Sequence, residues 1–206
     1  MARFPRTIAL AVTGASGAPY ALRLLECLLR ADSRVWMLVS RPGQIVLSME
    51  TELELPGRPA EMARRLTGHF GARPGQIEVF GPQQWTAPPA SGSAAPDAMV
   101  ICPCTTGTLA AVAMGVSRSL LERAADVVIK ERRKLVLVVR ETPLSAIHLE
   151  HMLKLARLGV VVLPACPGFY HGARRVQDLV DFVVARILDQ LGIHNDLVPR
   201  WGAEPE

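Results

Sequence analysis

The chain has 206 residues, half of them hydrophobic, and a formal net charge of only +4. This length predicts a single domain over residues 1–206, with a polar tail from about residue 193. A nucleic-acid binder needs basic residues clustered on one face, and a net charge this small does not predict such a surface. No apolar run reaches the roughly 18 residues of a membrane span, so no membrane contact is predicted.

Strand-like and helix-like patterns alternate through the first half of the chain. Strands are predicted at residues 7–13, 35–40 and 77–80, and helices at 20–30, 45–49 and 60–67. The apolar run at residues 8–12 follows a basic start, but it is too short for a secretion signal and is interpreted as a core strand. Residues 82–96 form a loop rich in proline and alanine around Trp85, and loops of this length in compact domains are often functional.

The same alternation continues through the second half. Strands are predicted at residues 98–102, 135–139 and 160–163. Helices are predicted at 105–114, at 120–130, from Thr142-Pro143 to about residue 158, and at 176–191, where Gly192 ends the last one. This order predicts an α/β fold of three layers, in which helices cover both faces of a parallel sheet.

The four cysteines bear on the cellular compartment. Cys27, Cys102, Cys104 and Cys166 are too few for a disulfide scaffold and do not have the spacing of a zinc site. They are predicted to be small buried hydrophobic residues, which fits the reducing cytoplasm.

Polar and flexible residues follow nearly every predicted strand. Ligands of parallel α/β sheets bind outside the carboxyl ends of the strands, so these residues are candidates for a binding site. Each alone has an ordinary explanation, such as a tight turn or a threonine N-cap. The residues are Gly14, Ala15, Ser16, Ser40, Glu50, Thr105, Thr106, Gly107, Thr108, Arg140, Glu141 and Tyr170.

Several basic residues lie on predicted helices. Arg123 and Lys130 are seven residues apart and therefore share one helix face. Arg186 lies beside the apolar stripe of the last helix, where an arginine either extends to solvent or pairs with an acid. Residues 132–134 are interpreted as solvated cations that oppose a helix dipole.

Four ordered sequence blocks resemble the UbiX family of flavin prenyltransferases, over essentially the whole chain. The blocks read GASGAPYALRLL, MVICPCTTGTLAAVAMG, LLERAADVVIKERRKLVLVVRETPLSAIHLEHMLKL and PGFYHGARRVQDLVDFVVARILDQLGI. The resemblance implies a flavodoxin-like variant of the Rossmann fold, assembled into trimers and then dodecamers. It also implies that dimethylallyl monophosphate is joined to reduced FMN at N5 and C6. The product, prenylated FMN, would serve UbiD-type decarboxylases, as in ubiquinone biosynthesis.

The resemblance also assigns residues to roles, some of them contributed by a neighbouring subunit. The implied flavin contacts are Gly14, Ala15, Ser16, Ser40, Thr105, Thr106, Gly107, Thr108 and Arg140. The implied isoprenoid phosphate contacts are Arg123, Lys130, Tyr170 and Arg186, and the implied catalytic groups are Ser16, Glu50, Lys130, Glu141 and Tyr170.

The chemistry can proceed without a metal, and two other functions compete with it. The chain lacks the D-D-x-x-D run with which many prenyltransferases hold magnesium, and cationic side chains are expected to replace the ion. Flavin-dependent oxidative decarboxylases of this fold carry a PASANT motif and a P-x-M-N-x-x-M-W motif. In this chain residues 89–93 read PASGS, and the second motif is absent from the sequence. A non-catalytic FMN-binding subunit would not need Lys130, Glu141, Tyr170 and Arg186 together.

Overall fold

The computed structural model describes residues 4–202, and its centre is one six-stranded sheet in which every neighbouring pair is parallel. The strand order is β3-β2-β1-β4-β5-β6. The sheet therefore has a carboxyl edge, where all strands end, and an amino edge, where all begin. The strands are β1 (Thr7–Val12), β2 (Arg34–Val39), β3 (Ile77–Phe80), β4 (Ala98–Cys104), β5 (Lys134–Val139) and β6 (Val161–Val162).

Seven helices of the described chain cover the two faces of the sheet. One face packs against α1 (Ala18–Arg30), α2 (Arg41–Glu50), α3 (Pro59–Phe70) and α7 (Val176–Leu191). The other face packs against α4 (Thr106–Ala113), α5 (Leu120–Lys130) and α6 (Ala146–Arg157). Within residues 4–202, no helix is both long enough and apolar enough to cross a membrane.

The burial of both faces explains why the strands are continuous apolar runs. In β1, Ile8, Leu10 and Val12 enter one core, whereas Ala9 and Ala11 enter the other. A strand buried on both sides cannot alternate between apolar and polar residues. The predicted α/β fold with a three-layer arrangement is confirmed.

Two details of the sequence prediction are wrong. The helix predicted to start at Thr142-Pro143 begins at Ala146, because the Ser145 side chain caps it by accepting a hydrogen bond from the His148 amide at 3.3 Å. Of the four cysteines predicted to be buried, Cys27 is only partly buried on α1, and Cys166 is exposed because it lies in the irregular segment after β6.

Candidate functional site

Three helices begin at the carboxyl edge, two of them directly after a strand and one after the turn of residues 13–17. α1, α2 and α4 follow β1, β2 and β4. Ser40 caps α2 by accepting a hydrogen bond from the Gly43 amide at 3.0 Å, and Thr105 caps α4 by accepting one from the Thr108 amide at 3.1 Å. A helix N-terminus carries a partial positive charge, so this edge of the sheet favours an anion.

Unpaired backbone amides lie at two of these helix starts. Within residues 4–202, the amides of Gly14, Ala15 and Ser16 donate no hydrogen bond to the protein, and neither do those of Thr106 and Gly107. Consecutive free amides at a helix start form a concave set of donors that suits a phosphate. We name this set, the amides of residues 14–16 and 106–107, the amide cradle.

Close packing fixes the shape of the glycine turn. A Cβ added to Gly14 would lie 2.4 Å from the Cβ of Pro42, at the start of α2. Gly17 has a φ of 126°, and a Cβ there would lie 2.9 Å from the ring of Tyr20. Side chains are therefore excluded at both positions, and the turn lies directly against the start of α2.

Thr13 links the glycine turn to the start of α4, although it was not among the predicted site residues. Its hydroxyl donates a hydrogen bond to the carbonyl of Pro103 at 2.7 Å and accepts one from the amide of Thr105 at 2.9 Å. The residue is only 2% exposed. Thr13 therefore holds the two halves of the amide cradle in a fixed relation. The only sequence signal was a threonine at the end of an apolar strand.

Glu50 binds the start of α1. One of its carboxylate oxygens accepts hydrogen bonds from the amides of Gly17 at 2.8 Å and Ala18 at 2.9 Å. Burial is the largest single influence on the pKa of Glu50 and raises it, but hydrogen bonds from Ser16, Gly17 and Ala18 and the charge of Arg140 together lower it below its ordinary value. Glu50 is therefore an ionised carboxylate beside the amide cradle.

Replacing Glu50 by glutamine should lower the free energy of unfolding at pH 7 by about 1 kcal/mol, because a neutral amide interacts less with the helix start. Because the pKa of Glu50 is lower in the folded state, its ionised carboxylate stabilises the folded protein at pH values above the unfolded-state pKa, near 4.3. This contribution to the free energy of unfolding is lost as the pH falls through the folded-state pKa. The deficit of Glu50→Gln should therefore shrink below about pH 4. Urea unfolding of the variant and the wild type at pH values from 7 to 3 measures this difference in the free energy of unfolding. The same substitution at the exposed Glu54 is the control. A deficit that does not change with pH would contradict the ionic contact.

Arg140 connects β5 to the glycine turn. Its Nε donates a hydrogen bond to the carbonyl of Ser16 at 3.1 Å, and its amide donates one to the carbonyl of Cys104 at 3.3 Å. Glu141 follows it as an exposed side chain whose carboxylate accepts from the Thr142 amide at 3.1 Å. One cation and two carboxylates thus lie around the carboxyl edge.

Tyr20 is a second residue near the site that was not among the predicted site residues. It is half-buried in the first turn of α1, and within residues 4–202 its hydroxyl makes no hydrogen bond. Burial raises the pKa of Tyr20, the nearby thiols of Cys102 and Cys166 raise it further, and the charge of Arg140 opposes them. Tyr20 therefore stays protonated, with a free hydroxyl close to Arg140.

Tyr170 and Arg186 share a small cavity of about 90 Å³ between α7 and the C-terminal tail. The Tyr170 ring meets the rings of Trp201 and Phe182 edge to face, with centroids 4.8 and 5.6 Å apart. Arg186 donates to Asp189 at 2.8 Å. Tyr170 and Arg186 therefore line the same cavity.

Arg123 and Lys130 both face the segment 88–94, as their seven-residue spacing predicts. Arg123 donates to the carbonyl of Ala90 at 3.2 Å. A Cβ added to Gly92 would lie 2.7 Å from the ammonium nitrogen of Lys130, which pairs with Glu131. Because α5 runs back along the sheet, Lys130 lies at the amino edge, opposite the amide cradle. One chain therefore does not bring Lys130 and the cradle together.

The arrangement at the carboxyl edge suits a phosphate-bearing ligand. Amide donors, helix dipoles and Arg140 supply positive potential, while Glu50 offers a proton acceptor beside it. Within residues 4–202 no three of the histidine, cysteine, aspartate and glutamate side chains are grouped so that they could hold a metal ion.

The chain matches a known family along most of its length. The sequence profile described as "Flavoprotein" matches residues 3–188. Over 200 residues the chain is 60% identical to the flavin prenyltransferase UbiX of Pseudomonas aeruginosa, covering 97% of this chain and 96% of that protein. This chain belongs to the UbiX family of flavin prenyltransferases.

Two solved structures of UbiX-like proteins resemble this member of the family. The structure of AnUbiX (PadA1) in complex with FMN and dimethylallyl pyrophosphate has a TM-score of 0.86 at 36% identity, covering 98% of this chain and 100% of that one. A dodecameric FMN-dependent UbiX-like decarboxylase from Escherichia coli O157:H7 has a TM-score of 0.85 at 37% identity, covering 96% of this chain and 100% of that one. The resemblance to UbiX, which the sequence blocks indicated, is confirmed.

Proposed function

We propose that this chain is a flavin prenyltransferase that joins the dimethylallyl group of dimethylallyl monophosphate to reduced FMN, with the whole chain acting as one flavoprotein domain. The observation that carries the proposal is the amide cradle at the carboxyl edge, in a chain 60% identical to a flavin prenyltransferase. Reduced FMN supplies the electron-rich ring to which the isoprenoid becomes attached. The prenylated product would pass to a UbiD-type decarboxylase in the cytoplasm.

The residues at the carboxyl edge fit FMN. The amides of residues 14–16 are free, and the hydroxyls of Ser40 and Thr105 stand at helix starts beside them. A Cβ added to Gly107 would meet only the Thr105 hydroxyl, at 4.0 Å, so the space over this backbone is open to a ligand. We assign the flavin to Gly14, Ala15, Ser16, Ser40, Arg140 and Thr105, Thr106, Gly107 and Thr108.

The departing phosphate needs positive charge and hydrogen-bond donors. When the allylic C–O bond breaks, both electrons go to the phosphate oxygen, whose negative charge rises. Lys130, Arg123 and Arg186 supply cations, and the Tyr170 hydroxyl supplies a donor. Oriented charges in a site shielded from water commonly contribute about 3 kcal/mol for each key donor. Such a set can replace a metal ion, so the proposed reaction is independent of metal.

The proposed site needs more than one copy of the chain. Lys130 lies at the amino edge and the amide cradle at the carboxyl edge of the same sheet. A lysine that acts on a ligand in the cradle must therefore come from another subunit. Assembly into a homo-oligomer, up to the dodecamer of the Escherichia coli relative, would supply it.

The proton released when the new ring closes requires an acceptor. Glu50 is a candidate because amide donors and Arg140 keep it ionised beside the cradle. Glu141 is exposed next to Arg140, and the released phosphate is the third candidate. The Ser16 side chain lies close enough to Glu50 to help lower the pKa of that carboxylate.

The test is an anaerobic incubation of the purified protein with reduced FMN and dimethylallyl monophosphate in the presence of a chelator. Mass spectrometry of the flavin should show the addition of one five-carbon unit, and phosphate should be released in equal amount. Unmodified flavin, despite tight FMN binding and a parallel trial of the diphosphate, would contradict the proposal. That outcome would favour the oxidative decarboxylase or the FMN-binding subunit.

Replacing Tyr170 by phenylalanine should slow prenylation by about 100-fold, which is the usual effect of removing one key donor. The ring is kept, so its contacts with Phe182 and Trp201 and the melting temperature should not change. Single-turnover kinetics with bound flavin measure the rate. A rate equal to that of the wild type would remove Tyr170 from the site.

A further inference from the structure

Tyr20 carries a hydroxyl at the carboxyl edge that the proposed reaction does not use. The side chain is half-buried in the first turn of α1. In the described part of the chain, residues 4–202, the hydroxyl has no hydrogen-bond partner, and it is not among the polar atoms that are fully buried without one. The hydroxyl is therefore accessible from outside the protein, where a ligand can reach it.

The glycine turn holds the ring of Tyr20 in place. A Cβ added to Gly17 would lie 2.9 Å from Cδ2 of Tyr20 and 3.4 Å from the Cβ of Pro103, so the missing side chain makes room for the ring. The Tyr20 amide donates a hydrogen bond to the carbonyl of Gly17 at 3.0 Å, and the ring packs against the core beneath α1. A donor that is fixed before the ligand arrives loses little conformational freedom on binding.

Arg140 brings further donors to the same place. Its Nε donates to the carbonyl of Ser16, but its two terminal nitrogens form no hydrogen bond or ion pair with any residue from 4 to 202. Burial raises the pKa of Tyr20, with smaller contributions from Cys102 and Cys166, and Arg140 is near enough to oppose them. A neutral hydroxyl and a guanidinium therefore lie close together, both with donors to spare.

These donors suit an oxygen atom that carries negative charge. Hydrogen bonds to an ionised acceptor are shorter and stronger than those between neutral groups. The nearby carboxylate of Glu50 does not serve as this acceptor, because it already accepts from the amides of Gly17 and Ala18 and makes no hydrogen bond with Tyr20. We propose that the Tyr20 hydroxyl, beside Arg140, donates a hydrogen bond to an anionic oxygen of the bound ligand.

Both ligands of the proposed reaction offer such an oxygen. FMN and dimethylallyl monophosphate are each phosphate monoesters, so the same donors can serve either of them. Tyr20 is then a residue that contacts a substrate, in addition to those assigned above. The choice of these two ligands rests on the proposed function, whereas the position of the free donors does not.

Tyr20→Phe in the full-length protein tests the contact, because it removes the hydroxyl and keeps the ring over Gly17. If the hydroxyl binds FMN, the affinity for FMN should fall about 10-fold, as expected when a hydrogen bond to a charged group is lost. Flavin fluorescence quenching measures this affinity. If the hydroxyl binds the isoprenoid phosphate, the affinity for FMN should be kept. The affinity of the oxidised holoprotein for dimethylallyl monophosphate, measured by calorimetry, should then fall about 10-fold instead.

Cys166→Ala is the matched control, because it changes a neighbour of Tyr20 and should keep both affinities. Wild-type affinity for both ligands in Tyr20→Phe would overturn the proposal. Equal losses in Cys166→Ala, or a lower melting temperature of ligand-free Tyr20→Phe, would also overturn it, since either result assigns the loss to packing. Both affinities are measured without turnover. A wild type that binds both ligands but leaves reduced FMN unmodified would therefore count against the proposed function alone.

Discussion

Replacing Lys130 by methionine should reduce prenyl transfer by about 100-fold or more, because the departing phosphate loses a cation in a site shielded from water. FMN affinity should change by less than about twofold, since Lys130 acts on the isoprenoid phosphate and not on the flavin. Rapid mixing of the reduced holoenzyme with dimethylallyl monophosphate measures the first quantity, and flavin fluorescence quenching measures the second.

Arg133→Met is the matched control, because Arg133 lines the same cleft as Lys130 and has no assigned role. It should retain the wild-type rate. Equal losses of flavin affinity and turnover in Lys130→Met would contradict the assigned role. A loss in Arg133→Met as large as in Lys130→Met would show that the cleft contributes only a general positive potential.

The same variant reports on the sharing of the site between subunits. Co-assembly of Lys130→Met chains with Glu50→Gln chains should restore part of the activity if both variants are impaired, because some sites then receive Lys130 from one copy and Glu50 from another. Each variant alone lacks one group at every site. No recovery in assemblies shown by mass spectrometry to be mixed would place both groups in one copy.

The layout of the fold was predictable because the physical signals are local. A strand buried on both faces must be a short apolar run, and β1, β4 and β5 have this form. Ser40 and Thr105 come directly after strands, where a hydroxyl caps the next helix, and the structure places both at caps. Their roles toward the flavin remain predictions.

The contacts across the site were not predictable, because they join residues far apart in the sequence. Glu50 reaches the amides of Gly17 and Ala18, and Thr13 reaches Pro103 and Thr105, through the packing of α2 and the pairing of β1 with β4. No local pattern encodes such partners.

The edge at which Lys130 lies follows from the fold class. Its spacing from Arg123 gave the helix face correctly, and a helix that joins two parallel strands runs back to the amino edge, where α5 ends and β5 begins. The predicted parallel sheet therefore already separates Lys130 from the amide cradle of its own chain.

The glycines of the amide cradle give the second large effect. Gly14→Ala should destabilise the protein by about 1–3 kcal/mol, because its Cβ would lie 2.4 Å from that of Pro42 and the start of α2 must move. FMN binding should fall with it, since the free amides of residues 14–16 depend on the shape of the turn. Thermal melting and flavin titration measure the two losses.

Gly107→Ala separates the two effects. Its Cβ would meet nothing nearer than the Thr105 hydroxyl at 4.0 Å, so the melting temperature should be kept or should rise, as alanine favours a helix more than glycine does. If flavin lies over this backbone, FMN affinity should nevertheless fall, because the methyl group occupies the space that the ligand needs. Wild-type affinity in Gly107→Ala would remove the start of α4 from the flavin site. The glycine turn and Ser40 would then remain as the proposed anchor for the phosphate.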